Sequence, residues 1–196
     1  MTKKAVAEEF INNSRPAIEH IFYALSAYND ALERAQVTVE EIEKSKQQLS
    51  DLFLYRDQWS PNANHHYVQY VARMKNLEDK KKEARDDEDE RLAKALASIG
   101  ATVESMSTLA GAVLQIAKQS LSLRYSGKPT ISGAITIGSQ SIIEVIWEGR
   151  NHAMHWDEGA PKKMVKDMLN ALEVDFNTTI ALGSNNCLSI LGALDW

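Results

Sequence analysis

Two histidines, an arginine and an asparagine lie close together near the end of residues 144–159, which read EVIWEGRNHAMHWDEG. Arginine carries its N–H donors in a fixed fork that can bind a phosphate group. An imidazole has an ordinary pKa of about 6.5, so it can give or take a proton near neutral pH. Arg150 and His155 therefore have the side chains that phosphoryl transfer needs: one to stabilise charge on phosphate oxygens, the other to move a proton.

The same stretch has the periodicity of an amphipathic helix over about residues 140–155, and Ser141 with Glu144 forms a capping box at its start. At about 100° per residue, the helix has an apolar face and an opposite polar face. The apolar face carries Ile142, Ile146, Gly149 and Ala153, and the polar face carries Glu144, Glu148, Asn151 and His155. The simplest interpretation is a solvated polar face. Because Trp147 and Met154 are large apolar residues beside it, we expect something to cover that side.

Helical geometry limits how Arg150 and His155 can share one phosphate. Five residues apart, they differ by about 140° around the helix axis and by about 7.5 Å along it. Either the helix ends near Met154, with residues 156–159 forming its terminus, or the same helix of a second subunit completes the cleft. We favour the second arrangement, a two-fold homodimer in which both copies contribute to one cleft.

Other polar residues of this helix have candidate supporting roles. Asn151 precedes His155 by four residues, so its side chain can hydrogen-bond the imidazole or the backbone and fix the orientation of the imidazole. Glu144, Glu148 and His152 are the remaining supporting candidates. A metal site made of Glu148, His152 and His155 is a less favoured alternative, because His152 lies about 80° from the centre line of the other two. No metal and no cofactor is expected.

Helix signals dominate the N-terminal half of the chain. Pro16 follows Ser14 and Arg15 and predicts a helix over about 16–35. A capping box at Thr38 and Glu41 predicts a second helix to about Asp57, and residues 60–61, Ser-Pro, predict the start of a third. Residues 75–91 are almost all charged, which indicates a solvated helix or an arm rather than core.

A heptad stripe indicates one long helix over about residues 80–124. The stripe consists of Leu92, Leu96, Ile99, Val103, Met106, Ala110, Val113 and Ala117. The Gly- and Pro-containing segment 126–140 predicts a loop with a short extended piece around Ile135 and Ile137. Pro161 predicts a helix to about Phe176, and Asn185 or Asn186 a final helix to Trp196. Together these elements predict an all-α helical bundle that forms one domain over 1–196.

Charge and cysteine content restrict the setting in which this helix could act. The formal net charge is −5 and the isoelectric point about 5.6, which argues against a broad basic surface for nucleic acid but allows one small phosphate site. Cys187 is the only cysteine and is expected to be a small buried residue. Because the sequence offers neither a signal peptide nor a membrane-spanning run, we predict a cytoplasmic protein without membrane contact.

The segment from Arg150 to His155, RNHAMH, resembles the RxxxxH motif of the HEPN superfamily, in which a polar residue, often Asn, follows the arginine. An apolar helix before the motif and an acidic turn with Gly after it strengthen the likeness. The likeness covers about residues 139–160 and extends through the C-terminal helix. Over residues 1–138 it consists of helical character alone.

The resemblance implies a dimeric helical bundle that cleaves RNA without a metal, by attack of a ribose 2′-hydroxyl, often as a toxin or antiviral effector. It implies catalytic roles for Arg150 and His155, and single-stranded or loop regions of RNA as substrate. A neutralising partner protein is a further implication. Some members carry a modified tyrosine two positions after the histidine, but Asp157 stands there in this sequence. The alternative is a non-catalytic helical module that binds RNA, nucleotides or a partner protein, which the acidic charge favours.

Overall fold

The computed structural model describes residues 2–57, 67–131, 133–181 and 183–196. Two long helices are followed by a two-stranded antiparallel hairpin and three short helices. The elements are α1 (Lys3–Asp57), α2 (Tyr67–Tyr125), β1 (Thr136–Ile137), β2 (Gln140–Ser141), α3 (Ile142–His155), α4 (Lys163–Phe176) and α5 (Cys187–Ala193). The predicted all-α class is confirmed.

Helix α1 runs without a break through the region where two helices were predicted. The capping box at Thr38 is wrong, because the Thr38 hydroxyl donates to the Arg34 carbonyl at 3.0 Å, a bond typical of a helix interior. Pro16 likewise lies inside α1 instead of in its first turn. The third helix predicted to begin at residues 60–61 lies outside the described residues.

Helix α2 contains the whole of the predicted 80–124 helix and begins earlier, at Tyr67. The charged segment 75–91 is part of α2, and its described side chains are mostly exposed, so it is a solvated helix. Glu88 is an exception, 7% exposed, and its Oε1 accepts a hydrogen bond of 2.5 Å from the Ser45 hydroxyl. A turn of α1 and a turn of α2 are thereby joined side by side, and the ion pair between Lys46 and Asp89 adds to this contact.

The contacts between Cα atoms divide the chain into two compact units. One unit is Asp30–Thr102, where the α1 and α2 segments contact each other as described above. The other combines the N-terminal segment up to Asn29 with Val103–Trp196 and contains α3, α4 and α5. The single-domain organisation stays a prediction.

The core of this second unit surrounds α3, which contacts α4, α5 and both strands. Its most deeply buried side chains are Leu114, Val145, Met168, Leu169, Leu172, Cys187 and Ile190. Gly149 allows α3 to approach its neighbours closely: a Cβ atom there would lie 3.1 Å from Ile190 Cγ2 and 3.3 Å from Leu114 Cδ1. Burial raises the pKa of the Cys187 thiol to about 12, so this cysteine is the expected inert core residue.

The loop before α3 contains the predicted extended piece, which forms the hairpin of β1 and β2. Gly138 makes its turn with a φ of +56°, and the backbone N–H and hydroxyl of Ser139 both donate to Asp175 Oδ2 at 2.7 Å. These hydrogen bonds hold the pKa of Asp175 below its usual value. The hairpin is thus tied to α4, and its last residue leads directly into α3.

The boundaries of α3, α4 and α5 match the predictions within a few residues. Ser141 caps α3 as predicted, since its Oγ accepts a hydrogen bond of 3.3 Å from the Ile143 N–H. Helix α4 ends at Phe176 as predicted but begins at Lys163. Helix α5 ends at Ala193 rather than at Trp196, and its N-cap is Asn186. The Asn185 side chain, one residue earlier, accepts a hydrogen bond from the Cys187 N–H at 3.2 Å. No helix in the described ranges is long and apolar enough to cross a membrane.

Candidate active site

Part of the polar face of α3 is covered by other segments of the chain and is not a solvated surface. Glu148 is only 4% exposed, and its Oε1 lies 3.0 Å from the Nζ of Lys128, which also lies 2.7 Å from Glu144 Oε2. Burial acts to lower the pKa of Lys128, but the hydrogen bonds to both carboxylates outweigh it and raise the pKa. Glu144 and Glu148 therefore hold the loop lysine against α3, and the capping box uses Ser141 without Glu144.

Asn151 binds the neighbouring charged groups instead of His155. Its Nδ2 donates to Glu148 Oε2 at 3.0 Å, and its Oδ1 accepts from the Nζ of Lys118 at 2.8 Å. Among the described contacts, the Asn151 amide therefore binds neither the His155 imidazole nor the backbone, the two partners that the sequence allows. The Lys118 ammonium also lies 4.6 Å from the centre of the Trp147 ring, a cation–π contact that covers this aromatic residue within the chain.

Arg150 is half-buried beside Lys118. Its Nε donates to Gln115 Oε1 on α2 at 2.5 Å, and Gln115 and Lys118 are three residues apart on one face of that helix. Burial, and after it the positive charge of Arg150, lowers the pKa of Lys118. In the part of the chain that the structure describes, neither Arg150 nor Lys118 has a carboxylate within ion-pair distance.

His155 is the last residue of α3 and is exposed to solvent. Its Nδ1 lies 2.7 Å from Glu158 Oε1, in the turn that follows the helix. Helix α3 thus ends near Met154, as in the first of the two predicted arrangements. Arg150 and His155 are held by different partners, Gln115 and Glu158, and the single chain does not bring them into contact. Met154, beside His155, is 53% exposed.

His152 points into the core and away from the other candidate residues. It is 3% exposed, and its Nε2 accepts a hydrogen bond of 3.1 Å from the Asn186 N–H at the start of α5. Its Nδ1 is buried without a hydrogen-bond partner among the described residues. Burial lowers the pKa of this imidazole, against an opposing contribution of the Ser184 backbone. His152 therefore supports the packing of α3 on α5 rather than a reacting group.

The metal alternative requires Glu148, His152 and His155 to converge, and their positions do not allow this. Glu148 binds Lys128 and Asn151. His152 faces Asn186 in the core, and His155 lies on the surface with Glu158. Within the described ranges, no three His, Cys, Asp or Glu side chains are grouped so that they could hold a metal ion.

Sequence reasoning missed four side chains of this region. Lys128 lies in the Gly- and Pro-containing loop, and Glu158 in the acidic turn after the motif. Gln115 and Lys118 flank the last members of the heptad stripe, which by itself indicates only a long helix. A polar residue beside a buried stripe, three residues from a lysine on the same face, is the signal that could have identified the α2 contribution.

Comparison of the chain with protein-family models, with curated proteins and with solved structures finds no match in any of the three.

Proposed function

We propose that the protein is a metal-independent endoribonuclease whose catalytic residues are Arg150 and His155. The proposal is supported above all by the pairing of His155 with Glu158 at the exposed end of α3, five residues after the half-buried Arg150. In a neutral imidazole, a carboxylate at Nδ1 favours the tautomer with the proton on that nitrogen, so Nε2 is the nitrogen with a free lone pair. Such an imidazole can accept a proton from a ribose hydroxyl.

The reaction is transfer of the phosphoryl group to the neighbouring 2′-oxygen. His155 Nε2 removes the 2′ proton, the 2′-oxygen attacks phosphorus, and the bond from phosphorus to the 5′-oxygen breaks to leave a 2′,3′-cyclic phosphate. A protonated imidazole supplies the proton that the leaving 5′-oxygen takes up. Arg150 binds the non-bridging oxygens and stabilises the charge that develops on them.

A homodimer is the assembly in which this chemistry fits the geometry. Residues 150 and 155 are about 140° apart around the axis of α3, so one copy presents them in different directions. A two-fold axis beside α3 would place the arginine of one copy opposite the histidine of the other. The two His155 side chains then act as base and acid on opposite sides of one phosphate. The exposure of Met154 supports an interface there.

Single-stranded or loop RNA is the proposed substrate, because unstacked nucleotides can enter a small cleft on a protein whose net charge is −5. The resemblance to HEPN proteins extends the proposal to a role in the cytoplasm as a toxin or antiviral effector, held in check by a neutralising partner protein.

The direct test is incubation of the purified protein with mixed RNA in EDTA, beside Arg150→Ala and His155→Ala. His20→Ala, which removes an exposed histidine from α1, is the matched control. We expect cleavage by the wild type and the control, and loss of about two or more orders of magnitude in both site variants. Equal cleavage by all four proteins would indicate a contaminating nuclease and contradict the proposal.

A second candidate function is RNA or nucleotide binding without cleavage. It is favoured by the engagement of Asn151 with Lys118 and Glu148, which leaves His155 without the orienting amide that the sequence predicts. RNA that is bound by the wild type, released by Arg150→Ala and left intact throughout would support this function over the enzyme.

A further inference from the structure

Two cations of different helices lie near each other, and neither forms an ion pair with a carboxylate of the described residues. Arg150 of α3 and Lys118 of α2 have no ion-pair partner in the described ranges, although the chain as a whole is acidic. Lys128, in contrast, is neutralised by two glutamates. The local cluster thus holds three cations and two carboxylates, an excess of one positive charge, and this excess lies on the side of Arg150 and Lys118.

Both cations are held in place by neutral groups that do not cancel their charge. Gln115 accepts a hydrogen bond from Arg150 Nε, and Asn151 accepts one from Lys118 Nζ. Among the described contacts, Nε is the only nitrogen of Arg150 in a hydrogen bond, so both terminal nitrogens can bind a ligand. The Trp147 ring under Lys118 orients the ammonium further. A half-buried pair with these partners is organised before any ligand arrives, which reduces the entropy lost on binding.

The two like charges also destabilise each other when the site is empty. Burial lowers the pKa of Lys118, and the charge of Arg150 lowers it further. An anion placed between them would offset this repulsion, which the charge of Glu148 offsets only in part. The free site therefore favours a negatively charged ligand.

We propose that Lys118 and Arg150 form a two-cation site for a phosphate group, and that Lys118 is the second phosphate-binding residue of the RNA cleft. Arg150 binds the two non-bridging oxygens of the phosphate with its terminal nitrogens, and Lys118 binds one of the same oxygens as a point charge. The identity of the phosphate as a phosphodiester of single-stranded RNA rests on the proposed function. The two-cation site itself does not, since it follows from the contacts of the two residues.

The test measures binding of a single-stranded DNA oligonucleotide, which lacks the 2′-hydroxyl and so cannot be cleaved by the proposed reaction. Lys118→Gln keeps a donor toward Asn151 and removes the charge, while Lys118→Arg keeps the charge. Lys163→Gln, at the exposed start of α4, removes an equal charge elsewhere and is the matched control. Circular dichroism of each variant establishes that it is folded.

We expect Lys118→Gln to weaken oligonucleotide binding about tenfold, as loss of one charge-assisted contact requires. The slope of log affinity against log salt should fall by about 0.7, because one phosphate contact to a single strand is lost. Lys118→Arg should stay within about threefold of the wild type, and Lys163→Gln should match the wild type in both measurements. Competition by inorganic phosphate and by a mononucleotide distinguishes a site for a free phosphate from one for a chain.

Two results would overturn this inference: an oligonucleotide affinity and salt slope of Lys118→Gln equal to those of Lys163→Gln, or no binding by the wild type. Failure of the nuclease proposal gives a different pattern, in which the wild type binds the oligonucleotide through Lys118 but leaves RNA intact. If Lys118→Gln cleaves RNA with the wild-type rate and affinity, the nuclease proposal holds, but Lys118 does not bind the phosphate in the RNA cleft.

Discussion

The carboxylate of Glu158 lies 2.7 Å from Nδ1 of His155, three residues after it and just beyond the end of α3. Glu158 thereby takes the orienting role that the sequence assigned to Asn151. His155 is the last residue of α3, so no later turn of the helix orients its side chain. The contact with Glu158 in the following turn sets the direction of the imidazole instead.

Glu158→Gln tests this relationship. The amide accepts a hydrogen bond more weakly than the carboxylate and can also rotate to present its NH₂ group, so the imidazole tautomer is no longer fixed. We expect single-turnover RNA cleavage to slow about tenfold, while RNA affinity stays within about twofold. Asp157→Asn removes the neighbouring charge and should leave cleavage unchanged; an equal loss in both variants would mean that only the charge of the turn matters.

His152 makes the stability of the fold depend on pH. Its pKa is lowered in the folded state, so the unfolded chain binds the proton more readily once the pH falls toward about 6.5, the ordinary value. Stability is therefore present above that pH and is lost as the pH falls through it. We expect the urea midpoint to decrease from pH 8 to pH 5.

His152→Gln is the variant that isolates this effect. Gln presents an oxygen near the position of Nε2 and can still accept from the Asn186 N–H, but it does not titrate in this range. Its urea midpoint should change less between pH 8 and pH 5 than that of the wild type, whereas exposed His20→Gln should retain the full wild-type change. A wild-type slope in His152→Gln would assign the pH dependence to other groups.

Gly149 and Gly100 predict opposite effects of the same substitution. A Cβ at position 149 would lie 3.1 Å from Ile190 Cγ2 and 3.3 Å from Leu114 Cδ1, both in fully buried side chains. Around a Cβ at position 100, the described residues place no atom within 4 Å other than the chain neighbours and the backbone of the same helix. Gly149→Ala is expected to destabilise the protein by about 1 kcal/mol, since overpacking exceeds the gain in helix propensity. Gly100→Ala, in an exposed helix interior, is expected to stabilise by about 0.5–1 kcal/mol. Urea unfolding of both variants measures the sign of the change in the free energy of unfolding.

Glu148 and Glu144 both bind Lys128, but their side chains differ in burial. The Glu148 side chain is 6% exposed and also accepts from Asn151, whereas that of Glu144 is 29% exposed. Glu148→Gln must turn its NH₂ toward one of two donors, Lys128 or Asn151, so we expect a loss of about 1–3 kcal/mol. Glu144→Gln should cost less than about 1 kcal/mol. Similar losses from both substitutions in urea unfolding would show that burial of Glu148 has no energetic role.

The sequence by itself determined the elements near the candidate site, because each depends on a local signal. The Ser141 cap, the end of α4 at Phe176 and the extended piece before α3 follow from side chains within a few positions of the boundary. The heptad stripe likewise predicted α2 over 80–124. Local signals failed in α1, where Thr38 can cap a helix or bond back to Arg34 within one, and the residues alone do not decide between the two.

Only the tertiary structure decided which partner each polar side chain of α3 takes. Helical periodicity placed Glu148 and Asn151 on an outward face, but Lys128 comes from a loop 20 residues away and Lys118 from a helix 33 residues away. These two lysines make the face a charged cluster. Lys118 binds the Asn151 side chain and lies near Arg150 without a carboxylate partner among the described residues. A periodicity describes the angle of a side chain about its own helix axis, whereas the partner depends on how distant segments pack, which no local pattern contains.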